Sequence, residues 1–260
     1  MATYIFDREQ VLEYYKEIVE FSLTSRSNAE NTHIKYALNL NIILSSACYV
    51  EGYMEKMAKC VLGYFRLVFN AVNIPEFELR KPINGYFTRI EADVYQRISQ
   101  GTGIDNYDKL FSLLLGKSFK QQDSFKPLLE PIQVLFQLRN VLAHAKEISS
   151  YEVSAYWNNN TFEENFFGGY KKAEKFLIKN GVLDDKFINM PRAERFFIDP
   201  VADYFYNISQ QFIQQLHTFV ESNIKFNTIL THKWEIYNKE NDTNLSVMDF
   251  CELNAHAIYE

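Results

Sequence analysis

The chain has 260 residues, is 47% hydrophobic and 16% aromatic, and carries only 9 Gly and 6 Pro. Such a length can bury a sizeable core as one large domain or two small ones, and such a composition excludes a disordered chain. The net charge of −6 argues against a general nucleic-acid coat, although it leaves room for a local RNA site.

No apolar run approaches membrane-spanning length, and the N-terminus lacks the apolar core of a signal peptide. Cys48, Cys60 and Cys251 are scattered without ligand spacing. They are expected to be reduced thiols in a cytoplasmic protein. There is no HExxH, no paired Cys, no Gly-x-Gly-x-x-Gly and no P-loop, so no metal or cofactor is expected.

Asp7 is placed to cap a first helix to about Leu23, with Val11, Leu12, Tyr15, Ile18 and Val19 inward. Ser22 to Thr32 reads as a loop, polar and without period. Asn31 or Thr32 then caps a long helix to about Asn70, whose apolar positions include Ile43, Leu44, Ala47, Val50, Met54, Met57, Ala58 and Val61. Gly52 and Gly63 on it lower helix propensity and leave two readings open, close approach of another backbone or a kink.

Ala71 to Gly85, with Pro75 and Pro82, reads as a connector. Tyr86 to Ser99 reads as a helix, and Asp105 to Gly116 as another that Asp105 caps. Lys117 to Lys126 reads as a polar loop. Between Arg80 and Lys146 there are ten Lys and Arg against six Asp and Glu. Within that span Arg89, Arg97, Lys117, Lys120 and Lys146 are candidate contacts to RNA phosphates.

The stretch Pro131-Ile-Gln-Val-Leu-Phe-Gln-Leu-Arg139-Asn140-Val-Leu-Ala-His144-Ala-Lys146 carries apolar residues at Ile132, Leu135, Leu138, Val141, Leu142 and Ala145. Spacings of three and four make this an amphipathic helix, with Pro131 suited to its first turn. Asn140 and His144 stack on one face and Arg139 flanks it. Arg is a permanent planar cation suited to phosphate, and His moves protons near neutral pH, so the three form a candidate phosphate-handling group.

Beyond it, Tyr151, Val153, Ala155 and Trp157 alternate as in a short extended segment, and Asn158-Asn-Asn160 reads as a turn. Phe162 to Tyr170 is a candidate partner surface, because Phe166-Phe167-Gly-Gly reads as an unusually apolar turn; the other reading is burial beneath the bundle. Gly169 to Asn180 is a helix with Gly181 as its C′ residue. Asp199-Pro200 opens a helix to about Asn223, with Asp199 as cap. Thr228 to Glu240 and Val247 to Ile258 complete the chain as two short helices.

Arg139-Asn140-Val-Leu-Ala-His144 resembles the R-N-x-x-x-H motif of the HEPN family, whose members include ribonucleases and toxins of prokaryotic defence systems. The resemblance covers the long helix, the motif helix and the Asp199 helix. It implies an all-α, HEPN-like helical bundle over residues 1–225, with a helical insertion at about 71–126 and a further segment at about 149–198. Residues 226–260 would be a short C-terminal helical extension. It also implies a metal-independent endoribonuclease, a toxin or anti-phage effector, working as a homodimer with the active site at the interface, with RNA as substrate and an antitoxin or regulatory protein as a further partner. Glu51, in Cys48-Tyr-Val-Glu51-Gly-Tyr, resembles the acidic residue that such nucleases carry on the helix packed against the motif.

The residues fit that chemistry. RNA carries its own nucleophile, the 2′-OH. His144 would serve as acid or base, Arg139 as stabiliser of the crowded phosphate, and Asn140 as a donor to phosphate or to His144. A reading of another class is a non-catalytic helical module that binds RNA, a nucleotide or a protein partner.

Overall fold

The computed structural model describes residues 3–71, 103–143, 160–184 and 194–255, with scattered residues between 85 and 97 and at 187 and 190. Side chains are described over 11–69 and, in the helix that begins at Asn160, from Tyr170. The fold is all-α, and the described residues contain no strand. Eight helices are delimited: α1 (Thr3–Asn28), α2 (Thr32–Ala71), α3 (Ile104–Leu115), α4 (Lys126–Ala143), α5 (Asn160–Lys179), α6 (Asp199–Asn223), α7 (Thr228–Glu240) and α8 (Val247–Asn254). A 3-10 turn, Glu194–Phe197, precedes α6. The described residues between Thr88 and Arg97 are helical, as the pattern there predicts.

The chain divides into two compact units. One comprises 1–50 and 126–212, the other 51–125 and 213–260. The boundary passes along α2 and α6, so each of these helices contributes one part to each unit.

In the first unit the faces expected to form the bundle are mostly buried. Ile43, Leu135, Leu138 and Phe212 are inaccessible, and Leu12 is half-buried. The start of α2 follows from Asn31, whose Oδ1 accepts from the amides of His33 (2.8 Å) and Ile34 (3.4 Å) and satisfies two otherwise orphaned donors. α4 packs along α5, which buries Tyr170, Ala173, Phe176 and Leu177. The end of α5 is a Schellman turn. Gly181 has φ +68, and its amide and that of Val182 reach back to Ile178 (3.0 Å) and Leu177 (2.9 Å).

Several local expectations for this unit are corrected. α1 does not begin at an Asp7 cap and does not stop at Leu23. It runs through Asn28, so most of the Ser22–Thr32 stretch is helical. Of its expected inward set, Val19 is buried, whereas Val11 and Ile18 are exposed. Pro131 lies inside α4, because the helix starts five residues earlier, at Lys126. The buried Phe125 anchors the chain just before that start, and Pro127 already occupies the first turn. Phe166-Phe167-Gly-Gly is part of α5, not a turn, and the helix expected from Gly169 begins at Asn160. The extended segment expected near Tyr151 to Trp157 lies outside the described residues.

Arg26, in the stretch that reads as loop, proves central. Its Nη2 donates to Asp203 Oδ1 (2.6 Å) and its Nη1 to Asn39 Oδ1 (2.9 Å), with Asp199 Oδ1 at 3.8 Å from Nε. Asn39 is fully buried, and its amide nitrogen donates to Phe197 O (2.7 Å) and Asp199 Oδ1 (2.8 Å). α1, α2 and the start of α6 are thereby tied together. Asp199 stands at the head of α6 as expected, but its carboxylate serves Arg26 and Asn39. The first helical amide bonds go to the carbonyl of Ile198.

In the second unit the stretch 117–126 is not a plain polar loop. Phe119 and Phe125 are buried there and meet Phe111 and Phe219, with centroids 5.0 Å apart for 119–125, 5.9 Å for 111–119 and 6.0 Å for 125–219. Such tilted and edge-on pairs add to the area they bury. Asp108 organises the turn by accepting from Ser118 Oγ (2.8 Å) and the Lys120 amide (3.1 Å). Asp105 lies in the first turn of α3 rather than capping it. Gly103 is the cap residue and Gly116, at φ +67, ends the helix.

The last helix closes on α2. Lys56, Cys60, Gly63 and Arg66 form one stripe of it, and α8 lies on that stripe. Lys56 Nζ is 3.5 Å from Asp249 and 3.7 Å from Glu252, and Cys60 Sγ donates to Met248 O at 3.4 Å. A Cβ at Gly63 would overlap the Cys251 carbonyl and stand 2.9 Å from the Ala255 amide nitrogen, so of the two readings for Gly63 it is close backbone approach that holds. Arg66 donates to the carbonyls of Asn254 and Ala255, a cation on the C-terminal end of a helix. Burial pushes the Cys251 thiol up to about 12 and raises that of Cys60 well above its usual range, so both are held as thiols. α7 and α8 have side-chain caps: Asn227 accepts from the Leu230 amide (2.9 Å), and Ser246 from that of Asp249 (3.1 Å).

Candidate functional site

The motif segment occupies the last turns of α4. The helix buries Leu128, Ile132, Leu135 and Leu138 on one face, and this fixes its rotation about its axis. Arg139 follows Leu138 and is half-buried; Asn140 is exposed. The Arg139 guanidinium lies over the ring of Phe136, one turn back, with Cζ 5.6 Å from the centroid. A cation over an aromatic face at this distance is held by the ring quadrupole, which limits the rotamers open to the long side chain. Gln137 Oε1, next to this turn, is buried and has no hydrogen-bond partner among the described residues. His144 and Lys146 lie outside the described residues, since α4 is delimited at Ala143.

Glu51 is half-buried on α2 and belongs to the other compact unit. Its described surroundings there include Tyr107 of α3. That phenol is raised well above its usual range, first by burial and then by the nearby Glu55 and Glu51 carboxylates. One turn further along α2, Glu55 binds the buried Lys59 at 2.5 Å.

The candidate RNA-contacting cations differ in their surroundings. Arg89 is exposed. Arg97 Nε donates to Asp93 (2.8 Å) one helical turn back, and this pair raises the guanidinium pKa further. Lys117 Nζ donates to Asn223 Oδ1 (2.7 Å), and Lys120 Nζ to Asp105 (2.5 Å). Exposed pairs of this kind are weak and exchange readily, so none of them removes a cation from use.

Two polar pairings had no signal in the sequence. One is the Arg26–Asn39–Asp199–Asp203 group. The other is Tyr53 with His217, whose hydroxyl and Nδ1 are 2.8 Å apart. Each joins residues more than a hundred positions apart along the chain, and no spacing rule reaches that far. Among the described residues, no group of three or more His, Cys, Asp or Glu is placed to hold a metal ion, and no helix is long and apolar enough to cross a membrane.

No family model matches this chain, and neither a curated protein nor a solved structure gives a match.

Proposed function

We propose that the protein is a metal-independent endoribonuclease of the HEPN type, with Arg139, Asn140 and His144 as its reacting group. The observation that carries this reading is the placement of the first two. Arg139 is packed over Phe136, half-buried on the side of the helix that carries Ile132 and Leu135, and the exposed Asn140 follows it. A cation held in one orientation suits a phosphate whose charge builds up in the transition state, because little reorganisation is left to do.

In the proposed reaction the 2′-oxygen attacks the adjacent phosphorus and the bond to the 5′-oxygen breaks. His144 takes the 2′ proton, and His144 of a second copy gives a proton to the leaving oxygen. The products are a 2′,3′-cyclic phosphate and a 5′-hydroxyl. A single imidazole per chain is the reason for proposing a homodimer with the site at its interface. Cytoplasmic location, a role as toxin or anti-phage effector, and control by a regulatory protein belong to the same proposal.

The test is cleavage of RNA by the purified chain. His144→Ala is expected to slow it by roughly 10²–10⁴-fold, the usual worth of a positioned acid or base. Arg139→Ala is expected to cost about as much, a few kcal/mol of charge stabilisation. EDTA should leave the rate unchanged, since the nucleophile is the substrate's own hydroxyl and the charge is met by Arg139. RNA with a 2′-deoxy sugar at the cut site should resist. Full cleavage by the His144 variant, or binding of RNA without cleavage by the wild type, would put the non-catalytic module in its place.

A further inference from the structure

α5 turns a row of lysines outward. From Tyr170 to Lys179 it holds four lysines and one acid, Glu174. Tyr170, Ala173, Phe176 and Leu177 are buried, which fixes how this part of the helix is rotated. Lys172, Lys175 and Lys179, at spacings of three and four, are exposed on the other side. At 3.6 residues per turn they fall within about 60° of arc. Glu174 does not offset them, because it is buried and binds Arg195 at 2.5 Å. Among the described residues no carboxylate pairs with Lys172 or Lys175. The outer face of this half of α5 is therefore cationic, in a chain of net charge −6.

The row adjoins the outer face of α4, within the same compact unit. Lys179 Nζ lies 4.0 Å from Glu130, and both side chains are largely exposed, so the two surfaces are continuous there. The end of α5 thus meets the start of α4, and the packed helices run antiparallel. Going back along α5 from Lys179 to Lys172 covers about 10 Å, as does going forward along α4 from Glu130 to Gln137. The row thus runs toward the turn that carries Arg139 and the exposed Asn140. Glu130 lies beside the far end of the row, and Lys126, exposed one turn before it, offsets its charge.

Shape and charge narrow the ligand. A line of ammonium groups about one turn apart suits a chain that carries one negative charge per unit, and about 10 Å is the axial length of roughly three nucleotides at about 3.4 Å each. An anionic lipid surface fits less well. A helix that lies on a bilayer buries an apolar face in it, and the apolar face of α5 is already covered by the protein. Arg97, Lys117 and Lys120 each have an oxygen partner, and they belong to the other unit.

We propose that Lys172, Lys175 and Lys179 form a track for the backbone of single-stranded RNA that leads to Arg139 and Asn140. The track rests on the reading of those two residues as a group that handles RNA phosphate. Its lysines hold phosphates and so set position rather than sequence preference.

The test is binding of a fluorescent, uncleavable 2′-O-methyl RNA of about twelve nucleotides to the full chain, followed by anisotropy over a salt series. Saturable binding that weakens as salt rises is expected. Lys172→Gln/Lys175→Gln/Lys179→Gln should weaken it roughly tenfold or more at about 0.1 M salt. The slope of log Kd against log salt should fall by about 2, since each phosphate contact to a single strand contributes about 0.7. Arginine at the same three positions should keep binding. All three sites are exposed and the Lys179–Glu130 pair is a weak one, so the melting curve should not move. Lys117→Gln/Lys120→Gln, which removes charge from the other unit, should change binding by less than about twofold.

The proposal is overturned if the wild type shows no saturable RNA binding, if the α5 variant binds as the wild type does, or if the Lys117/Lys120 variant loses as much. It is also overturned if the α5 substitutions abolish binding to phosphatidylserine vesicles and leave RNA binding intact, because a lipid surface would then be the ligand. Cleavage of ordinary RNA is read in parallel. RNA that binds through the row and is never cut removes the ribonuclease and leaves the track. Cleavage with an unchanged KM in the α5 variant removes the track and leaves the ribonuclease.

Discussion

In the unit of 1–50 and 126–212, distant parts of the chain are joined by polar side chains: Arg26 and Asn39 reach the carboxylates and a carbonyl at the head of α6. In the unit of 51–125 and 213–260 the joints are rings and backbone. Four phenylalanines meet around Phe119, and α8 rests on α2 where Gly63 has no side chain. The two kinds of joint fail differently. A ring cluster stabilises in proportion to the area it hides and tolerates small shifts. A buried amide needs every partner in place, because an unmet donor retains its full desolvation cost. The polar joint therefore specifies position more than it adds stability.

The largest expected effect tests the ring cluster. Phe119→Ala removes a fully buried ring from three neighbours and should cost about 3–5 kcal/mol, measured by chemical denaturation. Phe119→Leu should recover much of it; equal losses from both would mean the ring pairing, not the buried volume, holds the turn.

The next tests the backbone joint. Gly→Ala inside a helix normally stabilises by about 1 kcal/mol. At Gly63 the sign should reverse, with a loss of up to about 3 kcal/mol, because the new methyl meets the backbone of α8. Hydrogen exchange should show α8 opening first, and a stabilised Gly63→Ala protein would mean that α8 does not lie this close.

The smallest tests the polar joint. Asn39→Ala leaves the Phe197 carbonyl without its donor and Arg26 without one acceptor, a loss of about 1–3 kcal/mol. Asp203→Asn should cost less, since that carboxylate is about half exposed and water screens its pair with Arg26. An Asp203→Asn loss as large as that of Asn39→Ala would make the ion pair, not the buried amide, the centre of this joint.

Much of the fold can be read from neighbouring residues alone. Asn31 at the start of α2, Gly116 after α3, Gly181 after α5 and the bounds of α7 all follow from groups within one turn of one another, and such signals survive whatever the rest of the chain does. So do the all-α class and the buried face of α4, whose spacing fixes which side turns inward. The site was legible only in part. Arg139 and Asn140 lie on the helix where the pattern puts them, but the hold of Phe136 on Arg139 depends on side-chain rotamers that spacing does not determine.

Other features were decided only by tertiary structure. Arg26 sits in a stretch whose polar, unperiodic run reads as loop. It became a structural centre because Asp203, 177 residues on, comes within 2.6 Å. Asp199 has the makings of a cap, yet its carboxylate is drawn to partners from α1 and α2. Phe119 and Phe125 lie in a polar run and are buried, whereas Phe21 lies in a helix and is exposed. Sequence determines local hydrogen bonding, because its geometry closes within a few residues. Which apolar face is covered, and which buried charge finds a partner, depends on what the rest of the chain brings alongside.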